Sequence, residues 1–153
     1  MESPVIILIG AIAGLAGAAA MNSFMRKVSA SFSKRVDMLL ALGSYFTGHL
    51  EGAARLGTMI HAVAGIIFGI IYLLIMQLIG GAALPHALFL GIGFGFFHGM
   101  IMSYMLMFYA SEKHPIKDYR NATLEEGLLH LVGHLIFGAV TGLIGGLLAI
   151  VLL

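Results

Sequence analysis

Four long apolar stretches alternate with shorter polar ones along the chain. They cover residues 4–25, 56–79, 85–110 and 124–151, approximately. Each is long enough to cross a hydrocarbon core of about 30 Å as an α-helix. Within the first polar stretch, apolar residues recur at helical spacing from 36 to 47, which predicts a short interfacial helix. The pattern predicts an all-α integral membrane protein with four transmembrane helices, forming one domain over 1–153.

The distribution of charge along the chain predicts its orientation. All eight Lys and Arg residues lie in the first and third polar stretches. By the positive-inside rule, these loops face the cytoplasm and both termini face outward, in the inner (cytoplasmic) membrane of a cell. The segment before the first apolar stretch, Met-Glu-Ser, carries no positive charge, so we interpret that stretch as an uncleaved span and not as a signal peptide.

Composition narrows the classes of function. Of 153 residues, 60% are hydrophobic and 10% are charged, with a net charge of +1 and no cysteine. The low charge argues against nucleic-acid binding, and the lack of thiols excludes disulfides, iron–sulfur clusters, thiolate zinc and covalently attached haem. No nucleophile–base pair, carboxylate pair or phosphate loop is apparent, so we do not expect an enzyme. The expected partners are the lipid bilayer and other membrane subunits or a second copy of this chain.

The two halves of the chain share a spacing of residues. A histidine and two glycines recur at an offset of 73 residues in the second and fourth stretches, as His61, Gly65, Gly69 and His134, Gly138, Gly142. The first and third stretches match at an offset of 81, through Pro4, Gly10, Gly14, Met21 and Pro85, Gly91, Gly95, Met102. The matches predict two duplicated hairpins about a pseudo-two-fold axis along the membrane normal. In a chain this rich in glycine, chance is the alternative.

Histidines are the ionisable residues deep in these spans, and such residues mark function by default. His61 and His134 share a helix face with glycines, so both should face the protein interior. Met21 and Met102 fall at similar depths, and His98 precedes Met102 by one turn. Two imidazoles could ligate a haem b iron, imidazole and thioether together suit copper, and neutral histidines could hydrogen-bond a quinone or relay protons.

These residues also have a simpler interpretation. Histidine can join helices through hydrogen bonds, and methionine fills gaps in packed interiors. Our preferred hypothesis is a small binding or electron-transfer module that holds haem b or copper on His61 and His134, with His98, Met21 and Met102 as further candidates, inside a larger membrane complex. The alternative is a cofactor-free accessory or structural subunit. A small transporter is less favoured, because few polar residues are available to line a pore.

Short motifs also suggest a relationship to known proteins. They are Asp37-Met-Leu-Leu-Ala-Leu-Gly43-Ser44, His61-x3-Gly65, Gly95-x2-His98 and His134-x3-Gly138. With these motifs the chain resembles an uncharacterised family of small bacterial proteins with four transmembrane helices. The resemblance spans most of the chain and implies the four-helix fold. It implies no activity, because none is assigned to that family.

Overall fold

The computed structural model describes residues 3–29 and 37–153, and for Ser3 and Ser29 the backbone alone. The described residues form helices and connecting turns, without β-strands. The helices are α1 (Ser3–Ser29), α2 (Met38–Thr47), α3 (Ala53–Leu78), α4 (His86–Lys113) and α5 (Leu124–Leu152). A π-helical segment, Leu106–Ala110, lies inside α4, and a short 3-10 helix, Lys117–Tyr119, lies in the connection between α4 and α5.

Four of these helices are long and apolar enough to cross a membrane: α1, α3, α4 and α5. Their apolar lengths of 25 to 29 residues exceed the roughly 20 residues that a bilayer core requires. The predicted all-helical class with four spanning helices is therefore confirmed. Helices α1, α3 and α4 each extend beyond the predicted stretch at an end that carries charged residues, and α5 agrees with its predicted stretch to within one residue.

Local capping signals set two helix starts. Thr123 and Glu126 form a reciprocal capping box, as the spacing of these residues predicts, and α5 follows directly. The carboxylate of Asp37 accepts from the backbone N–H groups of Leu39 and Leu40 and so starts α2. The interfacial helix was predicted from 36; residue 36 lies outside the described residues, and α2 begins at Met38 and ends at Thr47.

The spanning helices pack in the spatial order α3, α1, α5, α4. Helix α1 packs along both α3 and α5, and α5 packs along α4, whereas the backbones of α3 and α4 approach each other at few points. Helices α3 and α4 are thus the outer helices, and each has one close backbone neighbour among the spanning helices. The end of the bundle that carries α2 and the connection between α4 and α5 is called the basic end here, after the described basic residues Arg55, Lys117 and Arg120.

Glycine lets the helix backbones come into direct contact. A Cβ on Gly14 would overlap the Gly65 carbonyl oxygen and lie 2.7 Å from the Gly69 Cα; a Cβ on Gly91 would overlap the Gly138 carbonyl oxygen and lie 2.9 Å from the Gly142 Cα. Close backbone approach is the usual way in which helices associate in lipid, where apolar burial gives little driving force. These contacts hold α1 on α3 and α4 on α5.

The glycine contacts relate the two halves in a different register from the sequence match. In the contacts, Gly14 corresponds to Gly91, whereas the offset of 81 residues pairs Gly14 with Gly95. The difference is four residues, or one helical turn. The contacts between α4 and α5 are therefore offset by one helical turn from the contacts that the sequence alignment of the two halves would give. The duplication itself stays a prediction.

The same glycine chemistry fixes α2 against the start of α3. A Cβ on Gly43 would overlap the Ala53 carbonyl oxygen, and one on Gly57 would overlap the Leu39 carbonyl oxygen. Met38, Gly43 and Ser44 are buried in this contact region of α2. Helix α2 is consequently held on α3 by backbone-to-backbone contact.

We expect Gly91→Ala to destabilise the bundle by about 1–3 kcal/mol, the usual cost of overpacking a close contact. The added methyl group would overlap the Gly138 backbone, which cannot move aside as a side chain can. The measurement is the free energy of unfolding in detergent micelles or bicelles.

Gly93→Ala is the matched control on the same helix, because a Cβ at Gly93 meets nothing within 4 Å. It should leave stability unchanged or raise it slightly, since alanine favours the helix. Equal stability of the two variants would contradict the proposed backbone contact.

Candidate functional site

Two histidines meet between α4 and α5. The ring centroids of His98 and His134 lie 4.7 Å apart, and the ring planes meet at 69°, an edge-to-face arrangement. The His134 side chain is 7% exposed, and His98 is partly buried. The structure therefore brings an imidazole from each of these two helices into direct contact in the spanning region.

Small residues on α4 make room for the His134 side chain. A Cβ on Gly95 would overlap the His134 carbonyl oxygen, and one on Gly99 would lie 2.8 Å from the His134 Cβ. The α5 backbone thus lies directly on this part of α4. His98 is the residue before Gly99, and its ring lies beside the ring of His134.

Hydrogen bonds orient both rings through the same ring atom. The Nδ1 of His134 lies 2.8 Å from the His130 carbonyl oxygen. A carbonyl can only accept, so this nitrogen carries the proton and Nε2 of the neutral ring is an acceptor. The Nδ1 of His98 shares a hydrogen bond of 3.2 Å with the hydroxyl of Tyr72. Among the described residues, no hydrogen bond engages Nε2 of either ring.

Aromatic side chains enclose the pair on the α3 side. The Phe68 ring packs against the His98 ring in a tilted arrangement, with centroids 3.9 Å apart and an interplanar angle of 31°. Tyr72 is 4% exposed and meets the rings of Phe94 and Phe137 edge to face. Side chains therefore fill the space between α3 and α4, where the helix backbones stay apart.

His61, the predicted partner of His134, has a different position. It is partly buried on α3, within electrostatic range of His134 and His130. Its ring neither stacks on nor hydrogen-bonds to another residue in the described part of the chain. The physical reason is that α3 packs closely on α1 and approaches α5 at few points, whereas α4 packs along α5, so His134 meets His98.

The two candidate methionines, Met21 and Met102, lie in different environments. Met21 is 2% exposed and lies with Met25 against Gly133 of α5. Met102 is 37% exposed, on α4, which has a single close helical neighbour in the membrane region. Met21 therefore lies in the core and Met102 on an exposed face of α4, and the ring of two histidines and two methionines stays a prediction.

The arrangement suits a single ion better than a macrocycle. Rings 4.7 Å apart leave no space for a flat haem between His98 and His134, and α4 and α5 are in backbone contact. A haem b therefore does not fit between His98 and His134 as they pack. Within residues 3–29 and 37–153, no group of three or more His, Asp or Glu side chains is placed to hold a metal.

Comparisons with known proteins add no relative. No protein-family model, curated protein or solved structure matches the chain. The resemblance to small bacterial four-span proteins therefore stays a prediction, and the function has to be argued from the site itself.

Tyr72 belongs to this site and was not among the predicted residues. The available signal was its hydroxyl, which lies inside an apolar span and requires a hydrogen-bond partner when buried. His98 is that partner. The pairing links α3 to α4, which no spacing within a single helix could indicate.

We expect Tyr72→Phe to weaken the connection between α3 and α4. Removing the hydroxyl deletes the bond to His98, and interhelical hydrogen bonds in membranes contribute about 0.6 kcal/mol on average. The unfolding free energy should fall by about that amount, and the ¹⁵N shifts of the His98 ring should change. Tyr104→Phe removes a phenol from a side chain that is 64% exposed and should change neither quantity.

Proposed function

We propose that this protein is a small membrane module that binds a copper ion through His98 and His134. The observation that carries the proposal is the state of the two rings: they are adjacent and shielded, and Nε2 of each is free while Nδ1 is engaged. Histidines that bind metals almost always have their second nitrogen held by a carbonyl or another polar group. His134 has that arrangement before any ion binds, and His98 has it in the tautomer whose Nδ1–H donates to the Tyr72 hydroxyl.

Copper is the metal that the surrounding chemistry favours. Imidazole binds copper well, and the membrane interior supplies no hard oxygen ligands of the kind that magnesium or calcium requires. Met21 is the interior methionine of the predicted ligand set, and a thioether suits Cu(I) in particular. His61 is a second, more distant candidate. A bound copper ion would supply one-electron transfer, which is consistent with an electron-transfer module in a larger membrane complex.

The proposed orientation has the basic end in the cytoplasm and both termini outside, in the inner membrane. In the sequence, all eight Lys and Arg residues fall in the first and third polar stretches, the distribution that the positive-inside rule associates with the cytoplasmic side. The equivalent glycine contacts in the two halves support an origin by duplication, with α1–α3 and α4–α5 as the related hairpins.

The purified protein should bind about one Cu(I) per chain under reducing conditions, measured by competition with a colorimetric Cu(I) chelator. His98→Phe and His134→Ala should each lower the affinity by about 100-fold or more, because even loss of an outer-shell partner costs 10–100-fold. By that argument Tyr72→Phe should lower it by about 10-fold.

His86→Ala is the control, since His86 is an exposed histidine at the opposite end of α4. It should leave the affinity unchanged. Binding that is absent, or that survives both His98→Phe and His134→Ala, would rule out the proposed site.

A cofactor-free structural subunit is the second candidate. It is supported by the outward face of α4, which exposes large side chains: Phe89 is 69% exposed, Phe97 68% and Tyr104 64%. On this hypothesis the protein binds no copper, and His98→Phe lowers stability only through the loss of the hydrogen bond to Tyr72, as Tyr72→Phe does, and leaves partner association unchanged. The copper titration therefore separates the two candidates.

A further inference from the structure

The outward face of α4 differs in chemistry from the outward faces of the other spanning helices. Large aromatic side chains are exposed on α4, whereas the described large side chains that are exposed on α1, α3 and α5 are aliphatic residues or methionine. Helix α4 also has the smallest share buried within this chain, 17% compared with 28%, 39% and 44% for the other three spans. Most of α4 is therefore available for contacts outside the chain.

The exposed residues of α4 include one continuous stripe. Phe89, Gly93, Phe97, Met100 and Tyr104 follow one another at intervals of four, four, three and four residues. These intervals keep side chains on one face of an α-helix, and they are the intervals at which one helix packs along another. Phe89 is 69% exposed, Phe97 68%, Met100 50% and Tyr104 64%. We call these five residues the α4 stripe.

Gly93, within the α4 stripe, makes no close packing contact in its own chain. A Cβ at Gly93 would meet nothing within 4 Å, whereas a Cβ at any other described glycine of the four spanning helices would lie against another part of the chain. Glycine disfavours a helix relative to alanine, because it loses more backbone freedom when it becomes ordered. Close packing offsets that cost at the other glycines, but no contact within the described chain offsets it at Gly93.

The α4 stripe is complementary to a second copy of itself. Two copies of the chain insert in the same direction, so a two-fold axis along the membrane normal brings equal depths of their α4 helices together. Gly93 then meets its equivalent across the axis, and the backbones can approach as closely as they do at Gly91 and Gly138. Phe89 and Phe97 lie about one turn to either side of that point, where aromatic rings of the two copies can pair.

The exposed aromatic area is sufficient for a specific interface. Burial of an aromatic side chain covers about 150–250 Å². Applied to the exposed fractions of Phe89, Phe96, Phe97 and Tyr104, that range gives roughly 350–600 Å² for each copy and roughly 700–1,200 Å² for two. A specific protein interface requires about 1,000 Å² in total. The exposed aliphatic residues of the same face add to this area.

We propose that two copies of this protein associate in the membrane through the α4 stripe, with Gly93 at the crossing point of the two α4 helices. No Lys, Arg, Asp or Glu lies between residues 86 and 111, so the face has no charge that a different subunit would have to neutralise. The inference does not depend on copper binding, because His98 meets His134 of α5 and Tyr72 of α3 on another side of α4.

Energy transfer between labelled copies in liposomes tests the dimer. The chain has no cysteine, so Glu51→Cys in the exposed turn before α3 gives one labelling position that is remote from the α4 stripe. Donor-labelled and acceptor-labelled copies are mixed, and the protein-to-lipid ratio is lowered stepwise. Transfer should exceed the value for random proximity and should follow a monomer–dimer equilibrium.

Gly93→Ile should raise the dimer dissociation constant by about 10-fold or more, because the added side chain overpacks the crossing point. The same side chain meets nothing in its own chain, so the fold of each copy should be retained. Phe97→Ala is a second variant, which removes an exposed ring and should raise the dissociation constant by about 2- to 10-fold.

Val63→Phe is the matched control. Val63 is 55% exposed on α3, so this change adds bulk to the outward face of a different helix. It should leave the dissociation constant unchanged. Transfer at the random value at every ratio would show a monomer whose α4 face contacts lipid or another subunit, and it would overturn the proposal. So would a Gly93→Ile dimer as tight as the unaltered one, or an equal loss of association in Val63→Phe.

Discussion

Backbone contact at glycine is the interaction on which the rest of this structure depends. In the bundle, α4 lies on α5 at Gly91 and Gly138, and α1 lies on α3 at Gly14 and Gly65. Apolar side chains give little reason for helices to associate in lipid, because the surrounding acyl chains are equally apolar. Close approach of the backbones supplies dispersion contacts instead, and it fixes which neighbouring side chains come together.

The histidine pair is a direct result of that contact. Because Gly95 and Gly99 have no side chains, the α5 backbone reaches α4 at His134, and the imidazole extends beside His98. The Phe68 and Tyr72 side chains of α3 lie against the His98 ring of this pair. Polar groups in an apolar span are costly unless they have partners, and here Nδ1 of each ring has one.

The gap between α3 and α4 explains the remaining architecture. Their backbones approach at few points, so aromatic side chains join them in the spanning region. At the basic end, α2 and the α4–α5 connection join them through His114. The bundle therefore has close helix packing along the series α3, α1, α5, α4 and a boundary between α3 and α4 whose contacts are made mainly by side chains.

The sequence by itself determined the helical class, the four spanning segments, the capping box of α5 and the short helix α2, since each follows from hydropathy, length or local hydrogen bonding. It also indicated His98 and His134 as residues of interest, because imidazoles are rare in apolar spans. Only the tertiary structure decided which imidazoles meet. A shift of one turn between α4 and α5 leaves hydropathy unchanged, yet it moves every side-chain contact by about 5.4 Å. The spatial order α3, α1, α5, α4 decides that His134 of α5 meets His98 of α4, while Met102 on the same helix is 37% exposed.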